Sequence, residues 1–314
     1  MERHQVPLYV GALAVGAVVG RLAPGAGPGL EHAINPALAA LLYVTFLQVP
    51  AAELVRSLRA GRFLGAALTV NFLVVPLVVA ALFPFLPGDQ AVRLGVLLVL
   101  LAPCVDYVIV FSGLAGGSAE RLLAATPLLL LAQMVLLPGY LFLFLGSDLS
   151  GVVDAGPFLE AFAVLIVVPL AAAWLTQAWG ARHAAGRRFA EGAGAAMVPL
   201  MVAVLFTVVA SQVPELDDGS GRLGDVVRVV PFYVAFLVVM PVAALGVVRV
   251  FRLGTRDARA IVFTGATRNS LVVLPLALAL PDGLAVAGVV VVAQTLVEVV
   301  GMVVYVRVVP RLLP

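Results

Sequence analysis

The sequence predicts an all-α polytopic membrane protein with ten transmembrane helices in two inverted five-helix repeats, helices 4 and 9 being interrupted and crossing. Three observations carry this expectation. The chain of 314 residues is 63% hydrophobic and 11% charged, with a mean hydropathy of +1.14, which lies outside the range of soluble domains. Ten apolar stretches approach or reach the roughly 20 residues that a bilayer span needs. Short sequence matches then recur at one fixed offset in the two halves.

The ten stretches cover about 7–22, 34–55, 63–86, 92–115, 121–145, 157–180, 193–214, 229–251, 258–281 and 284–308. Short links of Gly, Pro, Asp and Arg separate them, as turns require. The first stretch resembles a signal peptide in length, but nine further apolar stretches follow it, so it reads as the first span. All 19 basic residues are arginine. Fourteen fall on the side of the N-terminus and the even-numbered loops, and four (Arg21, Arg93, Arg222, Arg228) on the other. The positive-inside rule therefore places both termini in the cytoplasm of a multi-pass cell-membrane protein.

Gln48-Val49-Pro50 recurs as Gln212-Val213-Pro214, and Phe72-Leu73-Val74-Val75 as Phe236-Leu237-Val238-Val239, both at an offset of 164. Residues 1–150 then form the first repeat and 151–314 the second. An odd number of helices per repeat inverts the second copy in the membrane, a pattern that places a substrate site near the midplane and implies alternating access. In the fourth segment, Pro103 removes a backbone donor and disfavours helical geometry at Ala102, so the helix stops and restarts there. Adding 164 to Cys104 reaches residue 268, inside Thr267-Arg268-Asn269-Ser270, the strongly polar patch of the ninth segment. The two interruptions should meet.

Ionisable groups at membrane depth cost about 3 kcal/mol each even on the lenient insertion scale. This chain places Asp106, Arg268 and Glu298 there, and their simplest rationale is that Arg268 neutralises one or both carboxylates. They form either a structural ion pair or a charge switch that exchanges partners when a proton or substrate arrives. Glu298 shares a helical face with Gln294, Thr295, Gly301 and Met302, which makes it a candidate proton carrier. Cys104 and Asp106 lie in the first turn of the restarted helix, where the dipole favours negative charge. Cys104 is then either a small buried hydrophobe or a soft one-point ligand. Asn71, Asn269, Ser270, Thr267 and Gln133 either line the cavity or act as interhelical glue, and Asn269 and Ser270 can also cap the ends of the ninth helix.

Several classes are excluded or disfavoured. One cysteine forms no intramolecular disulfide. The three histidines, His4, His32 and His183, read as loop residues, so no metal site is expected beyond a soft substrate at Cys104, and no cofactor. No basic tract with interleaved aromatics suggests nucleic acid. An intramembrane hydrolase would need a nucleophile with its base or two catalytic aspartates, and Asp106 has no second intramembrane aspartate, which disfavours an enzyme.

Ala102-Pro103-Cys104, the aliphatic run ending in Leu114-Ala115-Gly116-Gly117, Asn71 to Pro76, and Val297-Glu298-Val299 resemble the arsenite efflux permeases of the arsenical resistance family, a branch of the bile acid/sodium symporter superfamily. The resemblance implies a panel domain of helices 1, 2, 6 and 7 and a core domain of helices 3–5 and 8–10. It also implies export of trivalent arsenite and antimonite by proton antiport, with Cys104 and Glu298 as the functional pair. The alternative is a transporter of an organic anion held by Arg268 and the half-helix N-termini. The partners expected are thus a small-molecule or metalloid substrate, protons and the lipid bilayer. The sequence leaves the oligomeric state open.

Overall fold

The computed structural model describes residues 5–47, 61–105, 107–146, 164, 167–216, 222–278, 280, 284 and 286–314. The described residues are almost wholly helical, and their one β-type contact is an isolated antiparallel bridge between Pro103 and Arg268. The chain runs through α1 (Gln5–Leu22), α2 (Gly27–Leu47), α3 (Gly61–Thr69), a π-helical turn (Val70–Val74) and α4 (Val75–Leu82). It continues through α5 (Gln90–Leu100), α6 (Tyr107–Leu114), α7 (Ala119–Leu145), α8 (Val168–Arg182), α9 (Ala184–Ala195) and α10 (Met197–Leu216). The last elements are α11 (Arg222–Val250), α12 (Thr255–Ala266), α13 (Ser270–Leu278) and α14 (Val286–Leu312).

Among the described residues four helical stretches are long and apolar enough to cross a membrane: Gly61–Phe85, Leu128–Leu145, Val227–Val250 and Val286–Leu312. A fifth follows if the pair Ala184–Ala195 and Met197–Ser211, bent by 43°, counts as one span. Each long helix keeps one apolar stripe uncovered. On α14 it is Leu296, Val300, Val304 and Val308, spaced by four, while Gln294, Glu298 and Met302 on another face are buried. Water would not tolerate such stripes around a whole protein; lipid does. The chain is a multi-pass membrane protein.

Two groups of helices pack around different partners. In one, α1 and α2 lie against α10, and α8 against α2. Gly16 and Gly20 make the first contact possible, since a Cβ at either would stand 2.9 or 2.8 Å from a carbonyl oxygen of α10, Phe206 or Ala210. This is the small-residue close approach by which membrane helices associate. In the other group α14 packs on α5, α11 and α13, and α12 on α11 and α6.

Proline positions set the local backbone. Pro76 has no N–H for the carbonyl of Phe72, four residues earlier, and lipid offers no replacement donor. Tyr140 on α7 supplies one, its hydroxyl donating to Phe72 O at 2.6 Å. Pro241 likewise frees the carbonyl of Leu237, and the Tyr305 hydroxyl on α14 donates to it. Proline, carbonyl and tyrosine are each displaced by the same 165 residues between these two devices, one residue more than the 164 of the short sequence matches. Just before Pro76 the helix loosens into the π-turn, Val75 N–H reaching back to Val70 O. Such turns often mark functional positions, and this one holds Asn71.

Two sequence expectations are corrected. His32 lies within α2 rather than in a loop, because the run from Gly27 already propagates helix across Pro36. The stretch with Arg187 and Arg188, expected as a loop, is the amphipathic helix α9. Gly186 lets α9 fold back on α8, as a Cβ there would stand 2.7 Å from Gly180 N. The repeated Gln-Val-Pro motif at 48–50 lies outside the described residues.

Replacing Tyr140 or Tyr305 by phenylalanine should each cost about 1–1.7 kcal/mol, the upper range for interhelical bonds in membranes, by leaving a proline-freed carbonyl unpaired. Unfolding in detergent would detect this. An unchanged midpoint in both variants would remove the hydroxyls from the account.

Candidate functional site

The two interruptions come together in the middle of the second helix group. Residues 101–105 leave helical geometry between α5 and α6, and 267–269 do so between α12 and α13. The open segments run antiparallel: Asn269 N–H donates to Ala102 O at 2.8 Å, and Cys104 N–H to Thr267 O at 3.3 Å. Each break thus supplies partners for backbone groups that the other leaves unpaired, as groups at membrane depth require. Asn269 Oδ1 also accepts from Val272 N–H at 3.2 Å and caps α13. Ser270 pairs with Thr295 of α14, hydroxyl to hydroxyl at 2.7 Å.

Glu298 enters from α14 and is fully buried, at 0% exposure. One carboxylate oxygen accepts the Tyr107 hydroxyl at 2.6 Å. The other accepts the backbone N–H of Arg268 at 2.7 Å and the side-chain amide of Gln294. Three donors therefore converge on this acceptor-only side chain. An ionised carboxylate fits them; a protonated one would turn an O–H donor into a shell of donors and force a rearrangement.

Arg268 is also buried at 0% exposure, but the expected neutralisation by a carboxylate is not what Glu298 provides. Among the described residues the guanidinium forms no ion pair with Glu298, which meets the backbone N–H of Arg268 instead. The guanidinium Nη2 donates to Thr264 O at 2.6 Å, Gly265 O at 2.8 Å and Asn71 Oδ1 at 2.8 Å. Nη1 reaches Leu100 O at 3.3 Å, and the Phe236 ring centre is 5.5 Å from Cζ. The carbonyls are last-turn groups of α12 and α5, which end without intrahelical partners and carry the negative end of the dipole. Bonds to an ionised group, at about 1.5–3 kcal/mol each, offset an insertion cost of about 3 kcal/mol. A lone carboxylate is not needed to keep this cation in the membrane.

Cys104 is 1% exposed and sits on the open segment, within electrostatic range of both Tyr107 and Arg268. Asn71, Cys104, Arg268, Asn269, Ser270 and Glu298 thus gather at one crossing, covered by the surrounding helices. Asp106 lies outside the described residues. Gln133, on α7, is buried and its Oε1 has no hydrogen-bond partner. Sequence reasoning missed Tyr107 and Thr264. Tyr107, the aromatic residue that opens the restarted helix, carried a visible signal in its position; Thr264, which orients Asn71 through a 3.2 Å bond, carried none.

The profile of the sodium bile acid symporter family matches residues 35–216. Asn71 and Cys104 fall inside this span, and Arg268, Asn269, Ser270 and Glu298 lie beyond it. No curated protein matches the chain.

Glu298→Leu would leave the Arg268 N–H and the Gln294 amide without an acceptor, at about 1–3 kcal/mol per stranded donor, and the Tyr107 hydroxyl with only the Arg268 carbonyl at 3.2 Å. Glu298→Gln keeps an acceptor, and the unpartnered Oε1 of Gln294 can take its new N–H. Thermal denaturation in detergent should show a much larger loss for leucine than for glutamine. Equal losses would mean that the network does not hold the crossing together.

Proposed function

Because the chain belongs to the sodium bile acid symporter family, whose profile covers more than half of it, we propose that it is a secondary transporter with alternating access. In this reading it exports trivalent arsenite, and antimonite by the same chemistry, in exchange for protons. The observation that carries the reading is the place of Cys104, the chain's only thiol, on the unwound segment where the two broken helices cross.

Arsenious acid is neutral near pH 7 and thiophilic. The Cys104 thiol displaces one hydroxyl of As(OH)3: an S–As bond forms, an As–O bond breaks, and the thiol proton leaves with the hydroxyl as water. A single thiolate gives capture that is reversible, as export requires. Asn269 and Ser270 supply polar groups near the remaining hydroxyls, while Asn71, whose amide is committed to Arg268 and Thr264, holds the crossing that presents them. Glu298 is the proton carrier, and its protonation disturbs the donor shell around it, which ties proton binding to the geometry of the crossing. The family resemblance supports two inverted repeats and a panel domain of spans 1, 2, 6 and 7 moving against a core of spans 3–5 and 8–10, and the arginine distribution supports cytoplasmic termini. The constant offset of the two proline–tyrosine devices supports the repeat.

A second reading, transport of an organic anion, is favoured by one observation. Arg268 Nε and Asn269 Nδ2 are buried donors without hydrogen-bond partners. Against it, the other guanidinium nitrogens are already committed to carbonyls and Asn71.

Everted vesicles test the proposal. Arsenite uptake should require an imposed proton gradient and fall to background in Cys104→Ser, a variant that changes one atom in a covered site. Full uptake by the serine variant would remove the thiol from the mechanism. Glu298→Gln should abolish the pH dependence of uptake; an unchanged pH profile would exclude Glu298 as the proton carrier.

A further inference from the structure

The surroundings of Arg268 Nη2 differ from those of an arginine paired with an acid. Three oxygens, Thr264 O, Gly265 O and Asn71 Oδ1, lie 2.6, 2.8 and 2.8 Å from this one nitrogen. It carries two hydrogens, so the acceptors outnumber the protons that can point at them. The group is an oxygen cage around a centre of positive charge. None of these oxygens is anionic, and the carbonyls close the C-terminal ends of half-helices, with Leu100 O of α5 accepting from the neighbouring Nη1 at 3.3 Å.

Asn71 is fixed with its oxygen inward, because its amide nitrogen donates to Ala67 O at 2.9 Å and to Thr264 Oγ1 at 3.2 Å. The Phe236 ring lies against the guanidinium and adds a face attractive to cations. In transporters built on broken helices, unwound carbonyls and half-helix C-termini are the groups that coordinate a coupling cation.

We infer that Arg268 is a tethered cation: its guanidinium permanently fills an oxygen site at the helix crossing that would otherwise take a free monovalent ion such as sodium. A cation bound through its own side chain cannot exchange with either side of the membrane, so this cage contributes no coupling ion. Among the described residues, the exchangeable charge at the crossing is then left to Glu298, which is held by the backbone N–H of Arg268 and not by its side chain. Removing the guanidinium keeps that backbone bond and empties the cage. The inference rests on the crossing geometry together with the reading of the chain as a transporter. It is independent of arsenite as cargo, because its readout is sodium binding to purified protein.

The test compares native protein, Arg268→Lys, Arg268→Ala and Arg268→Gln in detergent, measuring radiolabelled sodium binding and Tm as sodium chloride replaces choline chloride at constant ionic strength. Native protein and the lysine variant should bind no sodium and show no sodium-specific shift. The alanine and glutamine variants should gain saturable sodium binding and a sodium-specific rise in Tm. Stoichiometric sodium binding by the native protein overturns the inference whether or not any variant folds. A monodisperse alanine or glutamine variant that remains indifferent to sodium overturns it as well. Absence of arsenite uptake by the native protein, with these sodium results intact, would instead count against the proposed cargo.

Discussion

A backbone N–H or C=O inside a bilayer has no water to fall back on, and the whole crossing follows from meeting that constraint at two broken helices at once. Pro103 and the polar run at 267–270 interrupt their helices, and each interruption supplies hydrogen-bond partners to the other through the bridge between Pro103 and Arg268. What the bridge does not reach, charged side chains do. The Arg268 guanidinium closes the last carbonyls of α12 and α5, and Glu298 accepts the backbone N–H of Arg268. The same constraint explains the two tyrosines that answer the carbonyls freed by Pro76 and Pro241.

This economy has a functional side. Groups held by satisfied backbone and side-chain bonds are placed with little freedom, which is what a transport site near the midplane requires. Cys104 is carried on an open segment whose position is fixed from both directions, so its thiol is presented by rigid backbone rather than by a mobile loop. Glu298 is the member whose hydrogen-bonding character changes on gaining a proton, and it touches both half-helix pairs, through Tyr107 of α6 and the backbone of Arg268. A proton taken up there is felt at once on each side of the crossing.

Much of this was legible in the sequence because the signals are covalent or compositional. A proline and the chain's only cysteine in a leucine run marked one interruption. Addition of the repeat offset led from Cys104 to Arg268, in the patch where the second interruption falls. The choice of partner for Arg268 was not legible. Charge complementarity pointed to Glu298 as one partner, whereas among the described residues the guanidinium meets carbonyls at helix ends, and the π-turn before Pro76 brings Asn71 into reach. The π-turn leaves no clear mark in composition, and Thr264 and Tyr107 contribute through geometry that only the packed helices define. His32 and α9 were misread for a simpler reason: Gly and Pro clusters look like turns even when the helix runs through them.

The central claim is that a soft metalloid is held at Cys104, and since the chain has no other thiol, the rate of alkylation of the intact membrane-embedded protein reports on that residue alone. The account predicts that arsenite slows alkylation by a membrane-permeant maleimide in a saturable way, while arsenate at the same concentration does not. Equal alkylation rates with and without arsenite would contradict it and take the thiol out of the binding site.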